Sequence, residues 1–119
     1  MENDKIIKKL QEEMYSLIGD INYGDITDLN SHWESLSDLM LQLEIANWNK
    51  PEPDRTFSEI LDTLPEKDEK LISLIEEMEE LSQSRGYGDP IDEEDVDKLQ
   101  DDAMEFETFF EQLLKKINE

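Results

Sequence analysis

The chain of 119 residues carries 33 aspartates and glutamates against 11 lysines and arginines, a formal charge of −22 at pH 7, and no cysteine. That balance argues against free nucleic acid and anionic membranes as ligands, since both are held through cationic side chains. The missing cysteines remove disulfides, thiolate nucleophiles and thiolate-ligated metals together.

No run of about 18 apolar residues is present to cross a bilayer. The opening segment from Met1 to Glu13 lacks the apolar core of a secretory signal, so a single-domain cytoplasmic protein is expected. High charge with a mean hydropathy of −0.75 is also the composition of disordered chains. Periodicity opposes that reading. Ile7, Leu10, Met14, Leu17 and Ile21 form a first stripe at spacings of three and four, and Leu29, Trp33, Leu36, Met40 and Leu43 a second. Each is the buried face of an amphipathic helix. Asn47 to Arg55 follows as a linker whose Pro51 and Pro53 cannot continue a helix. Thr56 and Glu59 then spell a capping box ahead of Phe57, Ile60, Leu61 and Leu64, predicting a short helix ended by Pro65. A third stripe runs Leu71, Leu74, Met78, Leu81, and a fourth runs Val96, Leu99, Ala103, Phe106, Phe110, Leu113, Ile117. No segment alternates with period two. The expected fold is all-α: four main helices as two αα-hairpins, plus a short connecting helix.

Displaced by 64 residues, the chain matches itself. Leu10, Glu12, Glu13, Met14 and Leu17 fall on Leu74, Glu76, Glu77, Met78 and Leu81. Tyr23, Gly24, Asp25 and Asp28 fall on Tyr87, Gly88, Asp89 and Asp92, and Asp38 and Met40 on Asp102 and Met104. The expected layout is repeat 1 over about residues 4–47, linker and short helix over 48–65, and repeat 2 over about 66–118. The Tyr-Gly-Asp element reads as a hairpin turn: glycine supplies backbone freedom and the aspartate caps the next helix. In the second copy Asp89 suits the N-cap, Pro90 the first helical position and Asp92 the third; Asp25, Ile26 and Asp28 stand in the same places in the first. The stripes suit packing within one chain or between two copies in a homodimer.

The charge is not spread evenly. Between Leu10 and Asn49 eight acids occur without a lysine or arginine, and between Tyr87 and Leu114 eleven acids accompany Lys98 alone. Helical carboxylates at i and i+4 stand about 6 Å apart, close to the spacing of successive phosphates on a nucleic-acid strand. Such crowding destabilises the compact state. A field this strong suits a binding surface better than mere solvation.

Other chemistry is sparse. His32 is the sole histidine and sits beside Trp33, with no second histidine for a metal and no serine–acid arrangement, so it reads as structural. No glycine-rich phosphate loop is present. Asp20, Asn22 and Asp28 fall at positions of a calcium loop, but Asp25 stands where its glycine is needed and Ser31 where its bidentate glutamate belongs. Neither catalytic residues, nor a resident metal, nor a cofactor is expected.

Three family resemblances bear on function. Glu77-x-x-Glu80 followed by Glu94-x-x-Asp97 resembles the ExxE…ExxD pattern of the all-α, MazG-type nucleoside triphosphate pyrophosphatases, which would imply Mg²⁺ held by those carboxylates. Leu71 to Gly86 is similar to the second helix of nuclease-immunity proteins, without the Tyr-Tyr-containing inhibitory motif of the colicin DNase group. The size, helicity and acidity, with Ile21-Asn-Tyr-Gly-Asp-Ile-Thr-Asp28, resemble the Ocr-type phage anti-restriction proteins and their I-x-Y-x-D-I-x-D stretch. The chain departs from that family in its internal repeat and in the basic Lys115 and Lys116 near its last residue. This third resemblance implies mimicry of DNA.

The sequence therefore leads to the expectation of a non-enzymatic acidic inhibitor. It would act as a nucleic-acid mimic in the basic cleft of a partner such as a restriction or CRISPR nuclease. The expected surface comprises Asp20, Asp25, Asp28, Glu34 and Asp38, with Asp89, Asp92, Glu93, Glu94, Asp95, Asp97, Asp101 and Asp102. Tyr23, Tyr87 and Trp48 would add contact area. An immunity protein for a nuclease toxin and a Mg²⁺-dependent pyrophosphatase are the alternatives.

Overall fold

Each stripe becomes the inner face of a helix in the computed structural model, which describes residues 2–24, 29–48, 54–65, 67–83 and 93–118. The elements are α1 (Glu2–Asn22), α2 (Leu29–Trp48), α3 (Phe57–Asp62), α4 (Glu69–Gln83) and α5 (Glu93–Ile117). Among the described residues every regular element is helical. The all-α expectation holds, as do the two hairpins, α1 with α2 and α4 with α5, and the short connector.

Around the bundle, α1 touches α2 and α5, while α4 touches α5 and α2, and α3 bridges α2 and α4. α2 and α5 are therefore diagonal rather than adjacent. They meet only through the core, where Trp33 and Phe106 stand 6.0 Å apart between ring centroids. Phe57 of α3 completes the cluster, edge-on to Phe110 at 5.4 Å and to Phe106 at 6.4 Å. Edge-to-face aromatic pairs add about 0.5–1.5 kcal/mol beyond the burial of their area. The short connector is thus a structural keystone, with Phe57 fully buried.

Local signals explain the helix ends. Gly24 adopts φ 78°, the left-handed conformation that closes α1, and Tyr23 N donates to the Gly19 carbonyl at 3.0 Å. The predicted capping box forms at α3: Thr56 Oγ1 accepts from Glu59 N, and Glu59 Oε1 from Thr56 N, both at 3.2 Å. Glu79 of α4 adds a third bond, accepting from Ser58 N at 3.3 Å. At α4 the cap is Asp68, whose Oδ1 accepts from Lys70 N and Leu71 N. The acids Glu93, Glu94 and Asp95 open α5 and Lys115 and Lys116 close it, as the helix dipole favours. The capping readings at Asp25, Ile26, Asp28, Asp89, Pro90 and Asp92 lie outside the described residues.

The repeat keeps one register in its first helices and another in its second. Ile7, Leu10 and Met14 match Leu71, Leu74 and Met78 at 64 residues, all buried. In the second helices the inward positions match at 63: Trp33 with Val96, Leu36 with Leu99, Met40 with Ala103, Leu43 with Phe106. One residue is about 100° of helix rotation. Pairs aligned at 64 therefore part company: Met40 is buried and Met104 is 70% exposed, while Asp38 is exposed and Asp102 buried.

Candidate functional site: two acidic ridges and three carboxylate networks

Rolling the apolar stripes inward leaves Glu34 and Asp38 of α2, and Glu93, Glu94, Asp97 and Asp101 of α5, on the outer faces. Glu34 and Asp38 are exposed, one turn apart on α2. Asp38 lines two grooves. One, of about 450 Å³, runs toward α3 and is bordered by Glu34, Asp54, Arg55 and Glu79; the other, of about 390 Å³, runs toward α1 beside Lys9, Glu12 and Glu13. On α5, Glu93, Glu94, Asp97 and Asp101 are exposed and Asp95 half-buried. Because α2 and α5 are diagonal, these are two separate ridges. Between them stands α4, which exposes Glu76 and Glu80. Lysines are interspersed: Lys5, Lys8 and Lys9 are exposed on α1, with Lys9 on the second Asp38 groove, and Lys98 is exposed within the α5 ridge.

Among the described residues, Asp20 and Asp102 of the expected surface make contacts between helices of the fold. Asp20 receives His32 Nε2 at 2.6 Å, while His32 Nδ1 lies 2.7 Å from Glu13 Oε1. Burial works against the imidazolium, but the hydrogen bonds to Asp20 and Glu13 and their charges prevail, so the His32 pKa is raised above 6.5. Asp102 is the second, and here the exposed placement expected of it is corrected: it is 8% exposed. The stripe of Leu99, Ala103 and Phe106 sets the rotation of α5, and position 102 then meets Glu77 of α4. Burial first, then the hydrogen bond and negative charge of Glu77, push the Asp102 carboxyl up to about 7. Glu77 is held below its ordinary value by that same hydrogen bond, and by Lys98, whose Nζ lies 3.1 Å away. Asp25, Asp28, Asp89 and Asp92 lie outside the described residues, as does Tyr87. Tyr23 is 91% exposed, whereas Trp48 packs partly buried against the core.

A third network escaped the sequence reading. Glu44 is fully buried in α2 and pairs with Arg55 Nη2 at 2.5 Å. Thr63 Oγ1 accepts from Arg55 Nη1 at 3.0 Å and has its single proton within reach of the Ile60 carbonyl at 2.8 Å and of Glu44 at 3.2 Å. Asp54, at φ 66°, turns the chain just before Arg55. The signal was available: Glu44 follows Met40 by four, an acid on the apolar stripe that required a buried partner. Asp102 gave the same signal, three residues after Leu99 and next to Ala103. Glu79 is buried as well, and desolvation raises its pKa against the opposing Ser58 hydrogen bonds.

Among the described residues no three of His, Asp and Glu are grouped to hold one metal ion. Of the four carboxylates in the pyrophosphatase-like pattern, Glu77 is tied to Lys98 and Asp102. No helix among the described residues is long and apolar enough to cross a membrane. Compared with protein-family models, with curated proteins and with solved structures, the chain matches none.

Proposed function

We propose that the protein is an inhibitor that presents carboxylates where the phosphates of a nucleic acid would lie, occupying the basic cleft of a nucleic-acid-binding protein. The observation that carries this reading is the outward ridge of α5, with Glu93, Glu94, Asp97 and Asp101 exposed, matched by Glu34 and Asp38 on α2. Glu76 and Glu80 are exposed on α4, the helix that lies between the two ridges. A surface of this sign steers a cationic partner, with gains of about 10–10³ in association rate at low salt. The resemblance to Ocr-type proteins implies a restriction enzyme as target, and CRISPR nucleases offer a basic cleft of the same kind.

The test is competition. The protein is added at low salt to a panel of nucleic-acid-binding enzymes, each holding labelled DNA or RNA. Displacement from at least one restriction or CRISPR nuclease is expected. Displacement from none overturns the reading. So does Mg²⁺-dependent hydrolysis of a nucleoside triphosphate that Glu77→Gln abolishes. A single, salt-tolerant complex with a nuclease toxin would mean immunity instead.

A further inference from the structure

We propose that each hairpin is latched by one proton held between its two helices: on His32 of α2, between Glu13 and Asp20 of α1, and on Asp102 of α5, facing Glu77 of α4. Geometry makes the first case. Both ring nitrogens of His32 lie within 2.7 Å of carboxylate oxygens. A neutral imidazole has a single N–H, so one of these contacts would set lone pair against lone pair. Only the doubly protonated ring donates to both.

The second latch follows from the same chemistry. Asp102 is 8% exposed, and ionising it beside the charged Glu77 would bury a second negative charge without a cation of its own. Lys98 stands on Glu77 and keeps that group charged, so the proton resides on Asp102. The other Asp102 oxygen, Oδ2, is buried with no hydrogen-bond partner, a placement far less costly for a neutral acid than for an anion. Glu105 of α5 adds further negative charge facing Asp102. α1 also packs on α5, where Gln100 donates to the Ile21 carbonyl and Tyr15 to Glu111. Glu13 and Glu77 are equivalent at the 64-residue displacement, so the repeated Leu-x-Glu-Glu-Met segment supplies the acceptor in both hairpins. The second helix supplies a different proton carrier in each copy.

The direction of the pH effect is fixed by the raised values of both carriers. Their contribution is complete below the unfolded-state values, about 3.9 for Asp and 6.5 for His, and is lost as pH rises through the folded ones. For Asp102 the window runs from about 4 to about 7; for His32 it opens above 6.5. Glu77, lowered, has the opposite sign, but its loss comes on acidification, below about 4.3. Each retained proton makes the unfolding constant rise about tenfold per pH unit within its window. From pH 5 to 7 the Asp102 latch alone gives roughly fiftyfold, since at pH 7 the folded group is already half titrated. The hairpins are tight in mild acid and loosen past neutrality.

Carbon-detected NMR titration of the intact protein reads the carriers directly. The Asp102 carboxyl is expected to titrate near 7, and His32 above 6.5 with both ring nitrogens protonated below its midpoint. Urea midpoints at pH 5, 6, 7 and 8 supply the second reading. Asp102→Asn, whose amide donates to Glu77 without titrating, should flatten the decline between pH 5 and 7. His32→Gln should flatten it above 6.5. A carrier that titrates at its ordinary value overturns the latch in its hairpin, and a decline unchanged in both variants overturns the proposal.

Discussion

Arg55→Ala tests whether the linker is fastened to the bundle as described. Arg55 is the guanidinium partner of Glu44, whose side chain is fully shielded from water, while Arg55 itself is 12% exposed. Removing one member of a buried ion pair costs about 3–5 kcal/mol, because the remaining charge stays buried without compensation. Thr63 Oγ1 can still donate to Glu44, which sets the expectation at the lower end, about 3 kcal/mol. Unfolding entropy near 60 °C is about 2.1 cal/mol/K per residue, so the chain should lose roughly 12 °C of Tm. Circular dichroism at 222 nm during heating, with urea unfolding at 25 °C, measures both quantities. The double variant Glu44→Leu/Arg55→Leu should return to within about 1 kcal/mol of wild type, since an apolar pair removes both charges together. Arg55→Ala costing less than about 1 kcal/mol, the level of an exposed pair, would refute the burial of this network. A double variant as damaged as the single would refute the charge argument.

The other expectations concern α3 and its neighbours. Phe57→Ala empties the middle of the aromatic cluster and should cost about 3–5 kcal/mol by urea unfolding; a loss under 1 kcal/mol would mean that α3 does not close the core. Thr56→Ala removes the N-cap of the same helix and should cost about 1 kcal/mol, read from the same transition. Glu79→Gln keeps the acceptor for Ser58 N and removes a charge that burial disfavours, so its urea midpoint at pH 7 should equal or exceed wild type. Because the folded pKa of Glu79 is raised, the wild type should gain on the variant as pH falls through that value. A gap that widens on acidification would reverse the sign of this argument.

The fold was legible because its signals are local and periodic. Leu29 to Leu43 and Val96 to Ile117 could only be helices with one apolar face, and Thr56 with Glu59 announced the start of α3 before any packing was known. The second-helix register was not legible. Asp38/Asp102 and Met40/Met104 are identical pairs at 64 residues, and identity carries no information about a rotation of about 100°. That rotation is decided by Leu99, Ala103 and Phe106 together, and it turns Asp102 inward and Met104 outward. The exposed carboxylates of the candidate surface followed from the same stripes, by complement. What escaped were side-chain pairs between successive elements: Glu44 with Arg55, His32 with Glu13, Glu77 with Asp102. Each is an acid on or beside an apolar stripe, and naming its partner requires the rotation of each helix and the path of the linker, not only which helices are neighbours. The diagonal placement of α2 and α5, and hence the division of the acids into two ridges, belongs to the same category.

The most direct test of the mimicry account compares the wild type with a variant in which Glu34, Asp38, Asp97 and Asp101 are replaced by their amides. All four are exposed, so folding should change by no more than about 0.5 kcal/mol for each. Displacement of labelled nucleic acid from a nuclease that the wild type inhibits is measured at 50 and 200 mM salt. Wild type should lose at least about tenfold in association rate across that range. The amide variant should displace poorly even at 50 mM, with a flatter salt dependence. Equal displacement by both proteins, with the same salt slope, would contradict the account.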